Sequence, residues 1–142
     1  MVKNYHELIK GRIFIGGADD IDALLSNERI DTVYDLRAEA TPGEYSYNRV
    51  HLPIVDDADQ QDDSVKQAIN EVINQYNDGK NVYFHCSGGK NRTGTVAIGS
   101  LLELGIANSV DEAENQAIAI RPVIKVKPEM KQTLGRLFPK QI

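Results

Sequence analysis

The stretch HCSGGKNRTG, residues 85–94, places a thiol, an arginine and a threonine close together in the chain. Cys86 is the only cysteine, and Arg92 is the sixth residue after it. If the intervening residues curl into a ring, the planar guanidinium can donate two hydrogen bonds to one oxyanion at its centre. The hydroxyl of Thr93 can then donate a hydrogen bond to the cysteine sulfur. The spacing therefore predicts a site for a phosphate-like anion in front of Cys86.

The residues around the cysteine favour such a ring. Gly88 and Gly89 can adopt backbone angles that other residues resist. An apolar segment precedes the loop and another follows it, which predicts a strand and then a helix, the turn at which α/β sheets place their binding sites. Successive amide N–H groups at a helix N-terminus can hold a phosphate or a thiolate. A lone cysteine is usually a buried, inert residue, but Arg92 and Thr93 at these offsets favour the reactive alternative.

This stretch resembles the signature loop of cysteine-dependent protein tyrosine and dual-specificity phosphatases. The pattern HC-xx-G-xx-RTG matches at every defined position, with its glycine at Gly89. The segments RIFIGG, VYDLR, LPIVD and the helix before VYFHC also resemble the layout of the compact members of this family. The resemblance covers most of the chain and implies a small single-domain phosphatase over residues 1–142.

The resemblance also implies a mechanism in two steps. Cys86 attacks phosphorus to form a phosphocysteine, and an aspartic acid first protonates the leaving oxygen and then activates water. Arg92 and the loop amides stabilise the charge on the phosphoryl oxygens, without a metal or cofactor. The implied substrate-binding residues are Ser87, Gly88, Gly89, Lys90, Asn91 and Arg92. We expect His85 to orient the loop by hydrogen bonding rather than to transfer protons.

The general acid is expected in a separate segment. In the family it lies on a loop after the strand that precedes the long helix, often in a Pro-x-x-Asp setting. HLPIVDDAD, residues 51–59, aligns this position with Asp56. Asp57 and Asp59 are close enough in the sequence to remain alternatives.

Predicted strands and helices alternate along the rest of the chain. The strands are expected at residues 12–17, 32–37, 49–54 and 81–86, and the helices around residues 18–30, 64–76, 95–105, 109–121 and 128–138. Ser64 with Gln67 and Ser109 with Glu112 have the spacing of capping boxes, and Pro128 suits the first position of a helix. The alternation predicts a single α/β domain with a mainly parallel sheet of about four or five strands, flanked by helices on both faces.

Charge and composition limit the cellular context and the partners. The formal net charge of −5 disfavours broad nucleic-acid binding. No apolar run approaches the roughly 18 residues of a membrane span, and the N-terminal residues lack the pattern of a signal peptide. A single cysteine gives no reason to expect an oxidising compartment, so a cytoplasmic protein is expected. Its expected partners are phosphorylated proteins or small phosphomonoesters, with phosphate- or sulfate-like anions as ligands.

Several alternatives remain for the substrate and the class of protein. We expect phosphotyrosine first, with phosphoserine and phosphothreonine admitted by a shallow site. Lys90 resembles loops of relatives that act on phosphoinositides, and NRTG resembles RNA 5′-phosphatases of the same superfamily. A non-catalytic phosphate-binding module is the alternative of another class. A rhodanese-like sulfurtransferase fits Arg92 and Thr93 less well, and Asp35 with Arg37 is expected to be a structural ion pair near the site.

Overall fold

The computed structural model describes residues 4–39, 45–55 and 61–139. In chain order its strands and helices are β1 (His6–Ile9), β2 (Ile13–Gly17), α1 (Ile21–Asn27), β3 (Thr32–Arg37), β4 (Arg49–Ile54), α2 (Asp62–Asn77), β5 (Val82–Cys86), α3 (Arg92–Glu103), α4 (Val110–Ile120) and α5 (Pro128–Leu137). A short 3₁₀ turn, Ala18–Asp20, leads into α1. No helix in these described ranges is both long and apolar enough to cross a membrane.

The strands form one mainly parallel sheet, as the sequence predicts. Its order within the described part of the chain is β1-β2-β5-β3-β4, and β5 lies at the centre between parallel neighbours. The antiparallel edge strand β1 was missing from the sequence-based prediction. Its four residues, HELI, include a single buried side chain, Leu8, so no apolar alternation marks it. The strand β1 is therefore defined by its backbone hydrogen bonds to β2, not by a pattern in its own residues.

Helices cover both faces of the sheet, and strand alternation decides which side chain faces which layer. On β5, Val82, Phe84 and Cys86 belong to the large core under α2–α5. Tyr83 belongs to the smaller core under α1. Cys86 therefore ends the central strand with its side chain on the side of α3, the helix that follows it.

Helix α3 is buried along nearly its whole length, from Arg92 to Leu102. Gly99 allows this close approach, because a Cβ atom there would clash with Cδ1 of Ile69 on α2. The sequence prediction started this helix at Thr95, which is too late. The Thr95 N–H bonds to the carbonyl oxygen of Asn91 at 2.9 Å, so Arg92 already belongs to the first turn.

Of the two capping boxes predicted from the sequence, at Ser109 and at Ser64, the structure contains only the first. Ser109 Oγ accepts a hydrogen bond from the Glu112 N–H at 3.1 Å, as predicted, and α5 begins at Pro128. The predicted box at Ser64 is wrong, because α2 begins at Asp62 and Ser64 Oγ donates to the Gln61 carbonyl oxygen. Acidic residues at the first two positions suit a helix N-terminus, which explains the earlier start.

Candidate active site

Cys86 lies at the bottom of a cavity at the carboxyl end of β5. The thiol is buried, with 3% of the residue exposed, and it faces a cavity of about 400 Å³. The Oγ1 atom of Thr93 lies 3.1 Å from Cys86 Sγ and 3.2 Å from the Gly16 carbonyl oxygen. A hydroxyl group has one hydrogen to donate, so these two acceptors share it. Thr93 thus offers the sulfur a hydrogen bond from the first turn of α3.

Arg92 lies in the wall of the same cavity and is held in a two-pronged contact. Its terminal nitrogens donate to the two carboxylate oxygens of Glu39 at 2.6 and 3.0 Å, and one also donates to the Ile54 carbonyl oxygen at 3.2 Å. Glu39 also accepts a hydrogen bond from Ser87 Oγ at 3.0 Å. A phosphoryl group presents the same kind of paired oxygens as this carboxylate.

The contact with Arg92 controls the ionisation of Glu39. Hydrogen bonding from the guanidinium lowers the pKa of Glu39 from 4.5 to about 2, against the opposing effect of partial burial. A lowered carboxyl pKa favours the folded state above the ordinary value, and this contribution disappears as the pH falls through about 2. The Arg92–Glu39 pair therefore stays ionised at any pH used for an enzyme assay.

Arg121, at the end of α4, supports the loop that joins Cys86 to Arg92. Its Nε donates to the Gly89 carbonyl oxygen at 2.9 Å, and a terminal nitrogen donates to that of Gly88 at 3.2 Å. Gly89 has a φ of +68°, and a Cβ atom there would lie 2.6 Å from Arg121 Nη2. In a trans peptide the N–H points opposite to the preceding carbonyl. The amides of Gly89 and Lys90 therefore point away from Arg121.

Arg121→Lys should lower kcat/KM about tenfold to a hundredfold, because lysine cannot bond both loop carbonyls and the loop geometry positions the reacting groups. Steady-state kinetics with para-nitrophenyl phosphate measures this effect. Arg12→Lys is the matched control, since Arg12 also bonds carbonyl oxygens, those of Tyr76 and Lys80, away from the cavity. Equal losses in the two variants would show a general effect on folding instead.

Asn91 fastens the loop to the segment before α5. It is buried, and its Oδ1 accepts a hydrogen bond from the Lys127 N–H at 2.8 Å. Asn91 also lines the cavity, as expected from the sequence, but its side-chain oxygen accepts a hydrogen bond from the main chain. Lys90, the other residue expected at the rim, is exposed and lines the cavity.

His85 faces the opposite side of the sheet from Cys86. Its Nδ1 lies 3.1 Å from the Cys86 carbonyl oxygen. Because a carbonyl oxygen only accepts, Nδ1 carries the hydrogen in this contact. The ring is buried and stacks on Tyr83 with centroids 5.6 Å apart. Burial lowers the pKa of His85, with the Cys86 hydrogen bond and the nearby Asp35 acting in the opposite direction.

This lowered pKa predicts a dependence of stability on pH. Below the ordinary value of 6.5 the unfolded chain binds a proton before folded His85 does, so the free energy of unfolding should fall as the pH decreases below about 6.5. His85→Gln should flatten this slope in urea unfolding, leaving a part due to His6, whose pKa burial also lowers. The exposed His51 provides the control His51→Gln. An unchanged slope in the His85 variant would contradict the prediction.

Asp35 and Arg37 form the ion pair expected from the sequence. Arg37 and Arg49 both donate to the buried carboxylate of Asp35, at 2.8 and 2.9 Å. Burial alone raises the pKa of Asp35, but these hydrogen bonds outweigh it and hold the pKa well below its ordinary value. Asp35 and Arg37 lie on β3 and Arg49 on β4, and Asp35 is the register partner of His85 on β5.

The structure brings most of the predicted site residues to one place. Those lining the cavity are Cys86, Ser87, Gly88, Lys90, Asn91 and Arg92. The candidate acids Asp56, Asp57 and Asp59 lie outside the described residues. The described stretch before them ends at Val55, one residue after Ile54, whose carbonyl oxygen accepts a hydrogen bond from Arg92.

Four further residues at the site were missed by the sequence analysis: Glu39, Arg121, Lys125 and Lys127. Glu39 follows the carboxyl end of β3, a neighbour of β5, and this position was a usable signal, since sites collect at that edge of a parallel sheet. The other three depend on how the chain between α4 and α5 packs, which no local pattern reveals.

Comparison with known families gives one match that covers most of the chain. Residues 19–133 match the family model PTP-SAK, described as the DSP-PTPase phosphatase domain of Swiss Army Knife proteins. No curated protein sequence matches the chain.

Solved structures with the same fold cover nearly the whole chain. A mouse putative dual specificity phosphatase complexed with zinc tungstate has a TM-score of 0.80 at 18% identity, covering 96% of this chain and 87% of that one. Tk-PTP in its active form has a TM-score of 0.81 at 21% identity, with 99% of both chains covered. PTPMT1 in complex with PI(5)P has a TM-score of 0.78 at 17% identity, covering 96% and 95%. At these identities the likeness shows a shared fold.

Proposed function

The chain belongs to the DSP-PTPase phosphatase domain family of Swiss Army Knife proteins, within the cysteine-dependent phosphatases, and we propose that it hydrolyses phosphomonoesters through a phosphocysteine on Cys86. One observation carries this proposal: Cys86 and Arg92 line the same cavity, with the Thr93 hydroxyl 3.1 Å from the sulfur. A nucleophile and a fork of donors thus face the same cavity. The geometry fits phosphoryl transfer, which depends on positioning and charge stabilisation.

In the first step the Cys86 thiolate attacks phosphorus, forming the S–P bond while the P–O bond to the leaving group breaks. Asp56 donates its proton to the leaving oxygen. In the second step water attacks the phosphocysteine, Asp56 accepts a proton from this water, and the S–P bond breaks to release inorganic phosphate. In both steps two phosphoryl oxygens take the place of the two oxygens of Glu39 on the terminal nitrogens of Arg92.

Thr93 and the loop amides assist the same charge movements. The Thr93 hydroxyl stabilises negative charge on the sulfur, both before the attack and when the thiolate leaves in the second step. The Gly89 and Lys90 amides point away from Arg121 and form the nest for the phosphoryl oxygens. His85 positions the Cys86 backbone through its carbonyl group.

The experiment for this proposal is to trap the intermediate. Wild-type protein mixed with para-nitrophenyl phosphate and quenched in acid within one turnover should carry one phosphoryl group on the peptide containing Cys86, as measured by mass spectrometry. A burst of para-nitrophenol equal to the enzyme concentration should accompany it if the second step is the slower one. Hydrolysis with phosphate on another residue, or with no bound phosphate under any quench condition, would contradict the phosphocysteine.

Asp56→Ala should slow the hydrolysis of phosphate esters with poor leaving groups about a hundredfold or more, because such oxygens need a proton as the P–O bond breaks. Esters with acidic leaving groups, such as para-nitrophenol, should be affected far less in this step. A series of aryl phosphates with different leaving-group pKa values measures the difference. Asp57→Ala and Asp59→Ala are the matched controls. If one of them shows the larger dependence, that residue is the acid.

The proposed substrates come from the sequence and from the lining of the cavity. Phosphotyrosine in proteins is the first candidate, with phosphoserine and phosphothreonine as further substrates of an open site, in a cytoplasmic setting. A phosphoinositide is the second candidate, and two observations favour it. Lys90 lines the cavity, and the PTPMT1 structure of similar fold contains PI(5)P.

A further inference from the structure

The cavity beside Cys86 has a basic wall that the hydrolysis of a single phosphate ester does not use. Besides Arg92, which is paired with Glu39, its described lining residues include three lysines, Lys90, Lys125 and Lys127. The whole chain carries a formal charge of −5. The three lysines therefore bring positive charge to this cavity in a chain that is acidic overall, and such charges attract anions.

The segment between α4 and α5 forms the basic wall, because buried and lysine residues alternate along it. Ile124 and Val126 are buried, and they press on α3 so closely that a Cβ atom at Gly94 would lie 2.7 and 2.8 Å from their Cγ2 atoms. The backbone at Lys127 is extended, with φ −75° and ψ 154°. Lys125 is exposed between the two buried residues, and Lys125 and Lys127 both line the cavity.

Two hydrogen bonds fix this segment to the signature loop. The Lys125 N–H donates to the Lys90 carbonyl oxygen at 3.2 Å. The Lys127 N–H donates to Oδ1 of the buried Asn91 at 2.8 Å. The backbones that carry the three lysines are thereby joined to each other one or two residues before Arg92. All three lysines line the same cavity as Cys86.

Ammonium groups arranged around a cavity match a phosphate dianion better than a neutral group. Phosphotyrosine carries its single phosphate to Cys86 and Arg92, and the rest of its side chain is an uncharged ring. A cavity of about 400 Å³ has room for a compact molecule beyond the phosphate that reacts. A polyol with a second phosphate fills this room and brings negative charge to the lysines.

We propose that Lys125 and Lys127, together with Lys90, form a second anion subsite, and that the substrate is a compact polyol with a second phosphate besides the one removed. This inference rests on the proposed function and favours the second substrate candidate over phosphotyrosine. The same chemistry is available in a soluble inositol bisphosphate and in the headgroup of a phosphoinositide. The reaction removes the phosphate at Cys86, and the second phosphate stays on the product.

The kinetic test compares an inositol monophosphate with inositol bisphosphates. Wild-type protein should have the higher kcat/KM for at least one bisphosphate. In the double variant Lys125→Gln with Lys127→Gln, the ratio of kcat/KM for bisphosphate over monophosphate should fall about tenfold, because only the second phosphate loses its partners. The wild-type ratio should also fall with added salt. The control is Lys131→Gln on α5, because Lys131 pairs with Glu114 outside this cavity and its loss should leave the ratio unchanged.

A binding measurement separates failure of the subsite from failure of the proposed function. Titration calorimetry of the Cys86→Ser protein with an inositol bisphosphate needs no turnover, and the double lysine variant in the same background should bind about tenfold more weakly. Hydrolysis in phosphatidylcholine vesicles with a phosphatidylinositol monophosphate, compared with the soluble bisphosphate, identifies the source of the headgroup. Either source supports the subsite.

The subsite is overturned by equal kcat/KM values for mono- and bisphosphates, or by equal losses in the lysine double variant and in Lys131→Gln. It is also overturned if a phosphotyrosine peptide is the better substrate and its kcat/KM does not respond to the lysine changes. If no phosphomonoester is hydrolysed while the bisphosphate still binds through Lys125 and Lys127, the proposed function fails and the subsite stands.

Discussion

Replacing Cys86 by serine should lower the turnover of para-nitrophenyl phosphate at least about a thousandfold, because a serine hydroxyl is a far weaker nucleophile than a thiolate. The structure shows no general base next to residue 86 among the described residues, since its hydrogen-bond partner is the Thr93 hydroxyl. Serine is close to cysteine in shape, so the loop and Arg92 should keep their places. Phosphate binding by calorimetry should therefore survive while turnover is lost.

Because the chain has a single cysteine, chemical labelling provides a second test of this prediction. Iodoacetamide can alkylate one cysteine in the chain, so loss of activity should follow the labelled fraction of Cys86 one to one, and phosphate should protect. Ser100→Ala is the control for a small change in the same packed region, because Ser100 is buried in α3 outside the cavity lining. Full turnover by the Cys86→Ser protein, or by fully alkylated wild type, would exclude Cys86 as the nucleophile.

The parts of this molecule that were predictable from sequence are those whose causes are local. Three contiguous segments can be recognised in the sequence: the apolar run of β5, the glycine turn and the apolar run of α3. Together they place Cys86 and Arg92 beyond the carboxyl end of the central strand. The Ser109 cap was predictable for the same reason, since its partner is three residues away. The Ser64 cap failed because two acidic residues upstream could equally start the helix, and local spacing does not decide between competing starts.

What was not predictable depends on contacts between distant parts of the chain. Glu39 meets Arg92 across 53 positions, because β3 and β5 are neighbours in the sheet. Arg121 reaches Gly89 across 32 positions, because the end of α4 returns under the loop. An arginine after an alanine-rich helix carries no sign of such a partner, and the alternation of Ile124, Lys125 and Val126 predicts a strand as readily as a cavity wall.

Arg92→Lys should reduce kcat about a hundredfold or more. The planar guanidinium donates paired hydrogen bonds that stabilise the charge on two phosphoryl oxygens in the transition state. Lysine keeps the positive charge, but its ammonium is a compact point charge and cannot bond two phosphoryl oxygens in one plane. The guanidinium also spans from Glu39 to the Ile54 carbonyl oxygen, which a lysine cannot reproduce. We therefore expect weaker transition-state stabilisation together with a higher KM.

The chain offers a matched control for this change. Arg136 also makes a two-pronged contact with a carboxylate, donating to both oxygens of Asp62 at 2.8 and 2.7 Å, away from the Cys86 cavity. Arg136→Lys removes a fork of the same kind, so it should change stability slightly and kcat by less than about twofold. If Arg92→Lys were as active as Arg136→Lys, paired hydrogen bonding at Arg92 would have no part in the reaction. If only Arg92→Lys loses kcat strongly, the loss comes from the paired hydrogen bonds at residue 92, because both variants keep the charge and change the side chain in the same way.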